Sequence, residues 1–227
     1  MARLPYLNRE DLQLEDRDIY DDLTAKRGSV INIFRVLAHA PGLLRRLLTC
    51  SDYVRHDLHL DPSLRELAIL TVGRVCRVDY EFTHHWRIAR GVGLSQEKLE
   101  ALGAWERAAV FTDPERAVIR YAEEATRDIR VREETFNALR GFLDTRQIVE
   151  LVEVVAYYNM VVRILEPLKR GTRAGDDESV VDRAEMKAAR SSCARFAAKG
   201  ALRDRWVGQM RTIPGRCCGR TAERKGG

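Results

Sequence analysis

The stretch Leu64-Arg65-Glu66-Leu67-Ala68-Ile69-Leu70-Thr71-Val72-Gly73-Arg74-Val75-Cys76 decides the fold. Its chief charges are Arg65, Glu66 and Arg74, and the rest is apolar almost all the way round. A helix with so little polar surface belongs at the centre of a protein rather than on its edge. Asp61-Pro62-Ser63 precedes it and punctuates the chain where such a helix would begin.

Working outward, apolar residues keep recurring at three- and four-residue spacings from about Asp16 to Pro167, with few runs that alternate in the strand manner. The expected fold class is therefore all-α, a helical bundle. Upstream, an acidic segment near Asp16 to Lys26 stops at Gly28, and a second one (Ile31, Phe34, Leu37, Ala38) ends at Pro41. Pro41 is suited to starting the next helix, which uses Leu43, Leu44, Leu47 and Leu48. Downstream, Asp79 is the expected cap of a helix from Tyr80 to Arg90, closed by Gly91 and Gly93. Ser95 opens a short helix ending near Gly103. Thr112-Asp113-Pro114-Glu115 is a strong start signal, combining a capping side chain, a first-turn proline and an acid at the positive end of the helix dipole. Asp144-Thr145-Arg146-Gln147 resembles a capping box and launches a last helix, Ile148 to Leu165, which Pro167 is expected to stop.

Beyond Arg170 the texture changes to Gly, Ala, Ser, Arg and Asp with weak periodicity, so two parts are expected: a helical domain over 1–170 and a basic, weakly ordered extension over 171–227. The charge supports this division. Of 39 basic and 34 acidic residues, 171–227 hold 13 and 7, leaving 26 against 27 in 1–170. The net +5 thus belongs to the extension and implies no nucleic-acid partner for the helical domain, where no matching motif occurs. No apolar run approaches the roughly 20 residues of a membrane span, the polar N-terminus does not read as a secretory signal, and five scattered cysteines make a poor disulfide framework. The expectation is a cytoplasmic protein with no membrane partner.

Glu81 and His85 are related as i and i+4, so on a helix their side chains share a face. A carboxylate beside an imidazole orients the ring and favours its protonated form, giving an acid/base pair that works near neutral pH. Glu66 interrupts the apolar central helix; a carboxylate there is costly unless paired, so it needs a partner such as His85 or Arg65, or a cavity. Spacing alone favours the plainer alternative, an exposed Glu81–His85 ion pair with Glu66 on a solvated edge.

The surrounding residues shift that balance. Leu64-Arg65-Glu66-Leu67-Ala68-Ile69-Leu70, then Tyr80-Glu81-Phe82-x-x-His85, then Ile88-Ala89-Arg90-x-x-Gly93-Leu94-Ser95 resembles the core signature of the carboxymuconolactone decarboxylase and alkylhydroperoxidase-D-like family. Echoes in Leu4-Pro5-Tyr6-Leu7, Phe34 to Pro41, Glu115-Arg116-Ala117-Val118 and Tyr157 to Met160 extend the resemblance over about residues 4–168. It implies an all-α fold assembling as a homo-oligomer, trimer or hexamer.

The resemblance also implies two chemical branches. The alkylhydroperoxidase branch carries Glu, eleven residues, Cys-x-x-Cys, three residues, His; here the Glu falls on Glu66, the cysteines on Val78 and Glu81, and the His on His85. Both thiols are absent, which removes dithiol peroxidase chemistry from this position. The decarboxylase branch has a Glu in place of the second Cys, as Glu81 is here. It implies cofactor-free, metal-free acid/base work on a small carboxylated, lactone-type substrate. His85 would be proton donor or orienter, Glu81 its partner and Glu66 a second relay carboxylate. Tyr80, His84 and Arg90 are candidate substrate-binding residues, and Arg65 a further candidate carboxylate clamp. A peroxiredoxin-like antioxidant role without the motif's thiols, and a non-catalytic oligomeric binding protein, are the alternatives.

Other candidates are weaker. His56, Asp57 and His59 have metal-compatible spacing but no fourth ligand, and read as a surface cluster. Cys50 and Cys76 read as inert thiols, Cys217-Cys218 as part of the extension, and Tyr157, Tyr158 and Asn159 as core or interface residues of which one could line the site.

Overall fold

The computed structural model describes residues 3–168, all of whose regular structure is helical; no strand occurs among them. The all-α expectation holds. The proposed extension over 171–227, with Cys217 and Cys218, lies outside the described residues.

The central helix forms as its sequence requires. It is α4, Pro62–Cys76 in a series that opens with α1 (Asp18–Arg27), α2 (Asn32–Leu37) and α3 (Pro41–His56). Asp61 caps α4, its side chain accepting from the Ser63 and Leu64 backbone N–H groups, and Pro62 occupies the first turn, where a missing N–H costs nothing. Nine consecutive residues of α4, Arg65 to Gly73, are buried. It packs against α5 (Asp79–Gly91), α7 (Asp113–Asp128) and α9 (Thr145–Leu168). Between these lie α6 (Gln96–Ala101) and α8 (Glu133–Arg140).

The turn from α4 to α5 is only two residues long, and this brevity places the site. Arg77 takes a left-handed conformation (φ 58°) that folds the chain back, and the Val78 N–H bonds the Gly73 carbonyl at 3.0 Å. The Val78 side chain is sunk in the core, so Val78 is the residue that flanks α5 and Asp79 is already its first helical residue. The expected Asp79 cap is corrected accordingly: anchoring in the core decides the boundary over capping chemistry.

Two further expectations are adjusted. Helix α8 carries little apolar periodicity: Leu139 and Thr135 are buried and Phe136 is partly buried against the core. Helix α9 runs through Pro167 to Leu168. Pro167 forfeits only the bond its own N–H would have made to the preceding turn, and the Leu168 carbonyl accepts from the Arg3 N–H at 2.9 Å. The Thr112–Glu115 capping box forms as read, and Asp144 and Gln147 bond each other reciprocally at 3.0 and 2.8 Å.

Candidate functional site

Glu66 on α4 and Glu81 and His85 on α5 meet in the protein interior, 1%, 5% and 3% exposed respectively. These values exclude the exposed ion pair and the solvated edge. His85 Nδ1 lies 2.7 Å from Glu66 Oε2, and its Nε2 lies 3.2 Å from Glu81 Oε1. The other oxygen of Glu66 accepts from Arg65 Nε at 3.0 Å. Both expected partners of Glu66 are therefore engaged at once.

The electrostatics follow from this packing. Burial alone would strip the proton from His85, but the carboxylates of Glu66 and Glu81 outweigh it and raise the imidazole to about 9. Burial would conversely neutralise Glu66, yet His85 and Arg65 hold its carboxyl below the usual range. The two shifts agree in direction and describe an imidazolium donating one N–H to each carboxylate at neutral pH. Such a ring holds a transferable proton between two acceptors.

His84 behaves oppositely. Burial and then the neighbouring His85 charge push it down to about 4, so it stays neutral. Its ring stacks parallel to Tyr80, with centroids 6.3 Å apart, and meets His85 edge-on at 5.3 Å. Both Tyr80 and His84 are half-buried. Arg90 is different: it is exposed and lies five residues beyond His85, about 140° further round the helix. The structure does not bring it to the cluster. Arg65 is also spent as a clamp, since Nη1 donates to the Arg55 carbonyl at 2.8 Å while Nε holds Glu66.

Of the three α9 residues considered, Tyr158 reaches the site, its ring edge-on to His85 at 4.9 Å. Burial, followed by the charges of Glu81 and Glu66, pushes its hydroxyl well above the ordinary tyrosine value. Tyr157 turns to α3, where its hydroxyl donates to the Leu47 carbonyl at 3.4 Å, and Asn159 bonds Thr126 at 2.9 Å.

Cys50 and Cys76 are both free and half-buried. Burial raises both thiols, Cys50 to about 11 with Glu153 accepting its hydrogen bond at 3.2 Å. His56, Asp57 and His59 are exposed, and no cluster of metal-ligating side chains forms among the described residues. A cavity of about 210 Å³ lies apart from the cluster, between α1 and α3. Its cations are already paired, Lys26 and Arg27 with Asp52 and Arg45 with Asp16 and Asp18. No described helix is long and apolar enough to cross a membrane.

Comparison with known proteins agrees with this fold. Residues 41–124, from α3 into α7, match the model of the carboxymuconolactone decarboxylase family, a span that contains Glu66, Glu81 and His85. No curated protein matches the chain. Among solved structures it resembles a variant of the debrominase Bmp8 in complex with 2,3,4-tribromopyrrole, at TM-score 0.67 and 14% identity over 86% of this chain and 100% of the other. It also resembles the alkylhydroperoxidase AhpD core of a peroxidase-related protein from Ralstonia eutropha JMP134, at 0.66 and 21% over 77% and 93%. A peroxidase-related protein from Silicibacter sp. TM1040 gives 0.63 and 20% over 73% and 87%. At these identities the likeness is one of fold.

Proposed function

We propose, from the match of residues 41–124 to the carboxymuconolactone decarboxylase family model and from the burial of Glu81 and His85 within that span, that the protein is an enzyme of decarboxylase type, acting by acid/base chemistry on a small carboxylated, lactone-type substrate. The observation that carries this reading is the imidazolium of His85 held between Glu66 and Glu81 in the interior. Loss of CO₂ breaks a carbon–carbon bond and leaves its electron pair in a conjugated, dienolate-like anion. His85 supplies the proton that this carbon takes up, and Glu81 and Glu66 orient the ring and return a proton to it from solvent. A group that is charged at neutral pH yet enclosed is suited to that task, because proton transfer needs little solvent reorganisation there. The debrominase neighbour, which holds a flat five-membered ring, lends support by analogy of scaffold alone.

The antioxidant alternative has less to work with. Val78 and Glu81 occupy the positions of the two thiols, and the raised Cys50 and Cys76 are poor thiolates.

The test is a screen of carboxylated lactones for CO₂ release, run with the parent, His85→Ala and Glu81→Gln. Turnover by the parent that falls about a hundredfold or more in His85→Ala supports the reading. Full turnover in His85→Ala overturns it, and so does thiol-dependent hydroperoxide reduction that vanishes when Cys50 and Cys76 are replaced.

A further inference from the structure

We propose that Arg65 is the positioning residue of this site: braced on the end of α3, its guanidinium takes one oxygen of Glu66 for itself and so limits the hold of that carboxylate on the His85 proton. The role rests on the acid/base reading above and adds to it the group that keeps the proton transferable.

Arg65 and Glu66 are consecutive on α4, and consecutive helical side chains diverge by about 100°. The helix alone therefore does not bring them together; α3 does. Arg65 Nη1 donates to the Arg55 and Val54 carbonyls at 2.8 and 3.4 Å. Both belong to the last turn of α3, where carbonyls lack partners within their own helix and a cation is favoured by the dipole. So braced, the guanidinium turns Nε to Glu66 Oε1 at 3.0 Å, leaving Oε2 to meet His85 Nδ1 at 2.7 Å. The two side chains are only 11% and 2% exposed, so solvent screens the contact little.

The charge balance gives this division its consequence. Around His85 stand Glu66 and Arg65 from α4, Glu81 and His84 from α5, Tyr158 from α9 and, acting on His84 and Tyr158, Arg55 from α3. His84 and Tyr158 are neutral at pH 7. Arg65 and the His85 imidazolium offset Glu66 and Glu81, and Arg65 is hydrogen-bonded into the group. Without Arg65 the cluster would carry surplus negative charge, and His85, left as the donor to Glu66, would hold its proton more tightly. An acid that does not release its proton serves transfer as poorly as one already deprotonated.

The test follows the His85 imidazole by NMR across its titration in the full chain. The parent is compared with Arg65→Gln, Arg65→Lys, Glu66→Gln and the Arg65→Gln/Glu66→Gln double variant. Arg65→Gln is expected to hold the His85 proton about tenfold more tightly than the parent, its midpoint moving up. Arg65→Lys, whose compact ammonium cannot bridge Glu66 and the α3 carbonyls, is expected to lie between. On the Glu66→Gln background the same replacement should tighten the proton by less than about threefold. A merely structural Arg65 predicts the opposite sign, since loosening the contact between α3 and α4 admits water and returns His85 toward its ordinary value. An unchanged or lowered midpoint in Arg65→Gln overturns the proposal. So does a rise of equal size on both backgrounds, which would mean that Arg65 acts on the ring directly. Circular dichroism checks folding, and if Arg65→Gln is unfolded, Arg65→Lys decides: a raised midpoint supports the role, an unchanged or lowered one overturns it. The midpoint is read without substrate, so the outcome is separable from the reaction. A tighter His85 proton in Arg65→Gln, with no decarboxylation by the parent, keeps the role of Arg65 and removes the decarboxylase reading. An unmoved midpoint in an active, His85-dependent decarboxylase does the reverse.

Discussion

His85 and Glu66 come from different helices, and their 2.7 Å contact ties the candidate chemistry to the packing of α5 on α4. Their protonation states should therefore be visible in stability. Because His85 is raised to about 9, above its value of about 6.5 in an unfolded chain, its contribution is whole below the lower value. It is lost as pH rises through about 9. Glu66 is depressed, so its contribution is present above the ordinary carboxylate range and lost as pH falls through its folded value. Tm is expected to be highest near pH 5 to 6.5 and to decline between about 6.5 and 9, by an amount on the order of 3 kcal/mol in stability. In Glu66→Gln that decline should shrink. Calorimetry in low-salt buffer checks it, and equal slopes in the two proteins would contradict the pairing.

Tyr158 packs its ring edge-on to His85. Tyr158→Phe keeps that ring and is expected to cost less than about 1 kcal/mol, while Tyr158→Ala opens a cavity and costs about 3–5 kcal/mol. Removing the ring should also move the His85 imidazole resonance. Denaturant titration and NMR of both variants decide; a His85 resonance unmoved in Tyr158→Ala would show that the contact does not position the ring.

Ile129 follows α7 with φ 65° and ψ −31°, a region hostile to β-branched residues, and its side chain is 86% exposed. No packing offsets the strain. Ile129→Gly is expected to stabilise the protein by about 0.5–1 kcal/mol despite the freer unfolded chain. A fall in Tm would show that this conformation is less costly than its torsions imply.

The raised thiols of Cys50 and Cys76 should alkylate slowly. In the native protein near pH 7.5, iodoacetamide is expected to label them well below the rate of a free peptide thiol, with Cys50 accelerating only toward pH 11. Peptide-resolved mass spectrometry follows each residue. Rapid labelling of either at neutral pH would revive a thiol mechanism.

Much of this was legible in the sequence, wherever a signal was local. The Thr112 and Asp144 boxes, Pro41 and Asp61 mark helix starts through groups only a few residues apart, and the apolar run of α4 announces its central place. Glu81 and His85 share a face by spacing, and the apolar setting of Glu66 called for a partner that it has. What escaped depends on long-range packing. Asp79 lost the capping position because Val78 is anchored in the core, and Pro167 lies within α9, whose Leu168 carbonyl meets the Arg3 N–H. Arg65 could not be told from a clamp until α3 supplied carbonyls to hold it. Tyr158 reaches His85 only because α9 returns across α4.

The hydrogen bond from Arg3 to Leu168 has a topological meaning. Residues 3 and 168 are neighbours, so the described helices return to the place from which they set out. A circular permutant of residues 3–168, joining the two through a short linker, with new ends in the exposed turn at Gly28–Ser29, would preserve every described helix and the buried carboxylate–imidazolium cluster. In such a fold, connectivity serves assembly, while the arrangement of side chains around α4 is independent of where the chain begins.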